Sequence, residues 1–179
     1  EHDAYRARHG QGATVYEHNS HAIEQELTVF VPMNDTKGDP VKVCRLRLRN
    51  SSARARQFTI TYFAEWVLGT VCEEMQRHIR TSRDEESGAL LATQTWNGGA
   101  AGHFAFAASS PRAATYSGDR TQFLGTEGSP AKPDALGRAR LDNRTGAGLD
   151  PAAALQLTIT LTPGQQDEAV FLLGQVRTL

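Results

Sequence analysis

Cysteine is scarce: Cys44 and Cys72 are the only two in 179 residues. Two cysteines do not make a disulfide framework, and we read both as reduced, which fits a reducing compartment. Charge of one sign is equally scarce. The 19 basic residues nearly balance the 20 acidic ones, for a net charge of −1. That balance leaves no basic field to attract nucleic acid, and no nucleic-acid partner is expected. No apolar run approaches the roughly 20 residues of a membrane-spanning helix. The longest, Ala169-Val170-Phe171-Leu172-Leu173, has the length of a strand. There is no phosphate-binding Gly-x-x-x-x-Gly-Lys loop, no Gly-x-Ser-x-Gly elbow and no Cys-x-x-Cys pair. Those absences remove several common chemistries, and no cofactor is expected. The start at Glu1 in polar sequence and the stop at Leu179 read as the ends of a piece of something longer.

What is present is alternation. Cys44, Leu46 and Leu48 alternate with Arg45, Arg47 and Arg49. Phe58, Ile60, Tyr62 and Trp66 share one face of a second run. Leu155, Leu157, Ile159 and Leu161 share one face of a third, with Gln156, Thr158, Thr160 and Thr162 on the other. Period-two patterns of this kind predict half-buried strands with one wet face. Further strands are predicted at 14–18, 22–31, 79–83, 90–95, 104–109, 115–117 and 169–174. Turn chemistry separates them. Asn34 to Pro40 reads as a loop, Asn50-Ser51-Ser52 as a hairpin connection, and Thr162-Pro163-Gly164 as the opening of the last hairpin. About ten short strands predict a soluble all-β fold, a single large antiparallel β-sandwich over residues 1–179 with little helix. A short helix could fit within 67–76, although Gly69 weakens it. Residues 118–151 are rich in Gly, Pro and Asp. They are expected to lie over the sandwich or against a neighbouring domain.

Candidate chemistry is sparse. His2, His9, His18 and His21 cluster early, but no thiolate or paired carboxylate stands at ligand spacing, and no metal site is assigned. Asp84-Glu85-Glu86 could supply acid–base carboxylates for glycoside cleavage. Three consecutive acids in a polar turn read better as a solvated tip. Gln94, Trp96 and Asn97 combine an indole face with amides, the pairing that holds a pyranose ring. The same residues also suit a Trp packed under the Asn97-Gly98-Gly99 turn. Arg120, in Gly118-Asp119-Arg120, carries a fork that could take a phosphate or carboxylate. An Asp and an Arg this close can equally tie a loop down. The Arg45, Arg47 and Arg49 row reads as the wet face of a strand, open to cover by a neighbouring domain. The carbohydrate-binding candidates are therefore Gln94, Trp96 and Arg120.

Several words in order along the chain carry a family resemblance. They are His9-Gly10-Gln11-Gly12, Glu26 to Pro32, Tyr62-Phe63-Ala64-Glu65-Trp66-Val67-Leu68-Gly69, Gly118-Asp119-Arg120, Phe123-Leu124-Gly125, Gly146 to Pro151, and Phe171-Leu172-Leu173-Gly174-Gln175. The chain resembles the sandwich domain that precedes the catalytic barrel in family-94 glycoside phosphorylases (glycosyltransferase family 36). Within that family it is most similar to the carboxy-terminal part of cyclic β-1,2-glucan synthases. The resemblance implies a supersandwich similar to galactose mutarotase, in a parent enzyme that makes or breaks β-glucosidic bonds. It implies a helical catalytic barrel in the same chain as partner, with the general acid on that barrel and none here. It implies a β-glucan saccharide as ligand and a cytoplasmic setting, at the inner face of the membrane where the parent is membrane-bound. A homodimer contact stays open. The expected role is a non-catalytic accessory domain that packs on the barrel and helps shape the substrate cleft. A free-standing carbohydrate-binding module using Trp96 and Tyr116 is the alternative. A mutarotase-like enzyme, with His103 and Glu65 converging, is a third reading.

Overall fold

The computed structural model describes residues 4–33, 40–69, 76–95 and 104–176. Two antiparallel sheets face each other. The larger has eight strands and the smaller three. The small sheet is built from β5 (Arg56–Glu65), β10 (Pro151–Leu161) and β9 (Thr115–Asp119), in the order β5-β10-β9. Its register shows why the apolar alternation works. Leu155 lies opposite Tyr62, Leu157 opposite Ile60 and Ile159 opposite Phe58. Directly opposed residues point to one face, so the two strands present one continuous apolar surface. Leu155, Leu157, Ile159 and Leu161 are buried there, while Thr158 and Thr160 stand in water.

The large sheet runs β1-β2-β3-β4-β11-β8-β7-β6. Its strands are β1 (Arg6–His9), β2 (Ala13–Ser20), β3 (Ile23–Phe30), β4 (Val41–Asn50), β6 (Ile79–Arg83), β7 (Leu90–Gln94), β8 (Phe104–Ser110) and β11 (Gln166–Val176). Cys44, Leu48, Phe171, Ala107, Leu90 and Ile79 project from its inner face into one core with the small sheet. Tyr62 stacks on Phe171 at 5.2 Å between ring centres. Burial pushes the Cys44 thiol up, and pushes the Tyr62 hydroxyl up to about 12. Cys44 is unpaired, and Cys72 lies outside the described residues.

Two expected hairpins are not hairpins. β4 pairs with β3 and β11, whereas β5 pairs with β10, so Asn50-Ser51-Ser52 arches from one sheet to the other. The β10–β11 connection through Pro163-Gly164 also changes sheets. Asn50 holds both arches. It is fully buried, and its amide donates to Arg54 O at 2.8 Å and Leu161 O at 3.0 Å. Its side-chain oxygen accepts from the Ser52 amide and hydroxyl at 3.0 and 2.6 Å. Its backbone bonds Gln165 O and the Gly164 amide. The turn-forming residues were identified correctly, but turn chemistry alone does not say whether the two ends pair or part.

Of the stretch 118–151, residues 120–150 lie over the sandwich as expected, whereas Gly118 and Asp119 close β9 and Pro151 opens β10. Their first turn is a helix, α1 (Arg120–Leu124), capped by Asp119, whose carboxylate accepts the Thr121 amide at 3.0 Å. Phe123, Leu124, Ala135 and Leu141 pack on Ala154 and Phe63, a second small core on the outer face of the small sheet. This cover corrects one expectation. Gln156 was assigned to a wet face, yet it is 5% exposed and accepts the Thr115 hydroxyl at 2.8 Å. Residues 143–146 then bridge the sheets. Asn143 N donates to Tyr116 O and Gly118 N to Arg144 O on the small sheet, and Thr81 N donates to Gly146 O on the large one. Gly118 permits this closure, because a Cβ there would sit 2.4 Å from Thr81 Oγ1. The proposed helix at 67–76 falls mostly outside the described residues. Residues 67–69 are not helical, and a 3-10 turn occupies Gln76–His78.

Asn50→Ala should lower unfolding free energy by roughly 2 kcal/mol, since it strands the buried Leu161 carbonyl, removes a bond to the Arg54 carbonyl and frees the Ser52 turn. Urea denaturation measures this, and a loss below about 1 kcal/mol would mean that solvent replaces the amide at no cost. Tyr62 yields a pH prediction. Its folded pKa, about 12, lies above the ordinary 10.0. The unfolded chain therefore releases this proton first, and stability should be intact below pH 10 and fall between 10 and 12. Tyr62→Phe should remove that part of the alkaline slope in thermal melts. An unchanged slope would show that the hydroxyl titrates normally.

Candidate functional site

One end of the small sheet gathers Glu65, Arg120 and Asp150. The pairing of Ala152 with Glu65 and of Pro151 with Asp119 brings three chain segments together there. Glu65 ends β5, Arg120 opens α1, and Asp150 leads into β10. Arg120 Nε donates to Glu65 Oε1 at 3.0 Å and Nη1 to Asp150 Oδ2 at 3.4 Å. Asp150 Oδ1 also accepts the Gln76 amide. The Arg120 backbone amide donates to Asp150 O at 2.6 Å. The Glu65 hydrogen bond, more than the Asp150 one, holds the Arg120 guanidinium further above its usual range. Arg120 does tie loops together, but its partners are Glu65 and Asp150. The adjacent Asp119 is spent on the α1 cap.

Gln94 reaches the same end from the large sheet. It lies opposite Ile79 at the end of β7, and its side-chain amide donates to Leu68 O at 2.5 Å. Leu68 follows closely on Glu65. The segment 65–68 thus connects Gln94 to the Arg120 cluster. Trp66 sits between them, 6% exposed, with its amide bonded to Pro151 O and its indole Nε1 unpaired. Trp96, Asn97 and His103 lie outside the described residues. Sequence reading missed Gln76 and Asp150. The available signal for Asp150 was its place in the Gly146–Pro151 word. Arg120 Nη2 and Glu65 Oε2 keep hydrogen-bonding capacity, so this end can present both donors and acceptors to a hydroxylated ligand.

The remaining candidates are used otherwise. Asp84 takes the Ser87 amide at 2.8 Å and the Ser87 hydroxyl, which hold its carboxyl below its usual range. Arg112 donates to Glu85 O and Glu86 O, so this acidic turn is a closed, exposed tip. His9 bonds Thr14 Oγ1, and His18 stacks on Tyr5 with centres 4.0 Å apart. The Arg83 guanidinium lies 4.1 Å over the Tyr116 ring, so that ring face is taken. On the outer face of the large sheet, Arg47 pairs with Glu26 at 3.1 Å and Arg49 with Glu24 at 3.6 Å, beside a shallow cleft of about 430 Å³. No helix among the described residues is long and apolar enough to cross a membrane.

Comparison with known proteins places these features in a family. Residues 1–178 match the model of the glycosyl hydrolase 94 supersandwich domain. Cyclic beta-(1,2)-glucan synthase NdvB of Rhizobium meliloti (strain 1021) is 32% identical over 171 residues, 95% of this chain and 6% of that protein. N,N'-diacetylchitobiose phosphorylase of Vibrio proteolyticus is 24% identical over 174 residues, 95% of this chain and 21% of that protein. Among solved structures, a polysaccharide lyase superposes over 92% of this chain and 22% of its own with a TM-score of 0.52 at 7% identity, a likeness of fold alone. The chain therefore spans a small part of the curated relatives it matches. By the match over nearly its whole length, it belongs to the glycosyl hydrolase 94 supersandwich domains.

Proposed function

We propose that this domain is the non-catalytic accessory part of a β-glucan-handling glycosyltransferase or glycoside phosphorylase. In this reading it packs on a helical catalytic barrel of the same parent chain and helps shape the substrate cleft. The observation that carries the reading is the Arg120 cluster. Its guanidinium is held by two carboxylates, and Gln76 and Gln94 tie in the flanking segments. Such a cluster fixes the shape of a loop end and offers hydrogen bonds to a sugar. Both of its carboxylates are engaged by the Arg120 guanidinium, which suits positioning better than acid–base work. The third reading, mutarotase-like acid–base work by Glu65, has less support, because Arg120 engages that carboxylate. The free-standing module reading loses the Tyr116 face to Arg83. The unpaired Cys44 fits a cytoplasmic setting, at the membrane face in a membrane-bound parent.

In the parent enzyme, β-glucan contact is assigned to the end that carries Gln94 and Arg120, with Trp96 as the further candidate from sequence. The test compares the parent with its Arg120→Ala variant, and with the 179-residue chain alone, on β-1,2-glucooligosaccharides. The chain alone should show no turnover, and that variant should raise KM about tenfold or more with a smaller change in kcat. Turnover by the chain alone would overturn the accessory reading. An unchanged KM in Arg120→Ala and in Trp96→Ala would remove this end from the cleft.

A further inference from the structure

The small sheet ends at β5, whose far edge pairs with no strand among the described residues. Beyond that edge the inner face of the large sheet continues across β4, β3 and β2. A cavity of about 370 Å³ opens between the two. That volume lies in the range of small-molecule sites, roughly 300–1,000 Å³. Leu46 and Leu48 of β4 and Ile23 of β3 form its floor, and Phe58 and Ile60 of β5 form its wall. Leu46, Phe58 and Ile60 are only half-buried, although they pack against the main core. Water in such a space gains no hydrogen bonds from these walls. An apolar group placed there completes the burial of all three.

The polar groups stand at the mouth. Arg56 shares the inner face of β5 with Phe58 and Ile60, and its guanidinium lies 5.9 Å from the centre of the Phe58 ring. It is half-buried, and it makes no ion pair or hydrogen bond with a described residue. Its neighbours on β10 are Leu161 and, on the diagonal, Ile159, so the small sheet offers it no acid. Asp167, opposite Leu48 on the large sheet, is exposed and does not line the cavity. His21 reaches the same mouth from the tight β2–β3 turn, in which His21 and Ala22 hold φ of 53° and 59°. Ser20 Oγ accepts the Gln25 amide at 3.2 Å, which leaves the Ser20 hydroxyl proton free to donate. No described residue lining the cavity is an acid. A half-buried guanidinium over an apolar wall calls for an anionic partner, and its fork of donors takes a carboxylate or a phosphate group.

We propose that this cavity binds a single-chain amphiphile with an anionic head. The apolar body lies between Leu46, Leu48, Phe58 and Ile60, and the head sits on Arg56 with Ser20 and His21 beside it. Arg56 opens β5 and Glu65 closes it, so the site lies about 30 Å along the strand from the Arg120 cluster. A glucan held at the Arg120 end leaves this cavity free, and the two sites stand or fall separately. A glycan suits the cavity itself poorly, because Ile and Leu walls offer no hydrogen bonds to hydroxyls.

The test titrates octanoate, by calorimetry at neutral pH, into the 179-residue chain and into the parent enzyme. Both should bind it saturably at a single site. Octanol, the same chain without the charge, and acetate, the same head without the chain, should each bind about tenfold more weakly or worse. Arg56→Gln keeps size and polarity. It should weaken octanoate about tenfold and change octanol less than about twofold. Arg54→Gln removes an exposed arginine outside the cavity and should change octanoate less than about twofold. Leu46→Phe fills the cavity and should abolish octanoate binding without lowering the melting temperature. Octyl phosphate binding as tightly as octanoate would support the anionic head and make phosphate an equal source of it. No saturable octanoate binding to the chain, or binding that survives Leu46→Phe, would overturn the site. Equal weakening of octanoate and octanol by Arg56→Gln would remove the anionic head from the proposal and sink it. Displacement of octanoate by β-1,2-glucooligosaccharides would make the cavity a glycan site instead. Binding to the chain but not to the parent enzyme would show that a further segment of the parent fills the cavity, and the ligand site would fall while the accessory reading stood.

Discussion

An eight-stranded sheet has two faces, and a three-stranded sheet can cover only part of one. Most of the structure follows from that mismatch. The inner face of the large sheet and the apolar face of β5 and β10 bury each other, and burial of these Leu, Ile and Phe side chains is the main source of stability. The sheets must also be joined at their margins. Asn50 joins them at one end by bonding both arches, and residues 143–146 join them along the edge through Tyr116, Gly118 and Thr81. The outer face of the small sheet gains its own cover from Phe123, Leu124, Ala135 and Leu141. The outer face of the large sheet receives no equivalent layer from the described residues.

How much of this was legible follows from what period two reports. Alternation records burial of one strand face, so ten of the eleven strands among the described residues were readable. β1 escaped because all four of its residues, Arg6 to His9, are exposed, and an exposed edge strand leaves no apolar signature. Alternation says nothing about partners. Asn50-Ser51-Ser52 and Pro163-Gly164 therefore looked like hairpins although each crosses between sheets. Gln156 looked solvent-facing because its cover comes from the irregular segment 120–150, whose packing has no period. Within that segment, α1 is only one turn, signalled by the Asp119 cap and the apolar pair Phe123-Leu124.

The Arg120 cluster was legible in part and opaque in its pairing. Of the three sequence candidates, Arg120 and Gln94 are tied to the segment 65–68, and Trp96 lies outside the described residues. The loop-tying reading of Arg120 paired it with its neighbour Asp119. In the fold its carboxylates come from 55 and 30 residues away. Such partners are set by the β5-β10-β9 order, which no local pattern encodes. Partly exposed ion pairs of this kind add little stability. The use of this cluster lies in geometry, since it pins β5, α1 and the entry to β10 to one another at the mouth of the sandwich.

Six buried side-chain polar atoms among the described residues have no hydrogen-bond partner: His18 Nδ1, Arg45 Nε, Arg47 Nε, Thr61 Oγ1, Trp66 Nε1 and Arg83 Nε. Three of them belong to guanidinium groups, which carry further donors, and two of those groups are engaged elsewhere, Arg47 with Glu26 and Arg83 with the Tyr116 ring. Trp66 differs because its indole has a single donor. A domain whose only task was to fold would gain by replacing it with an apolar side chain of similar shape, because a buried donor left unpaired costs more than the bond it forgoes. Trp66 lies between Glu65 of the Arg120 cluster and Leu68, whose carbonyl takes the Gln94 amide, so its unpaired donor stands at the end of the sandwich where the polar residues already gather.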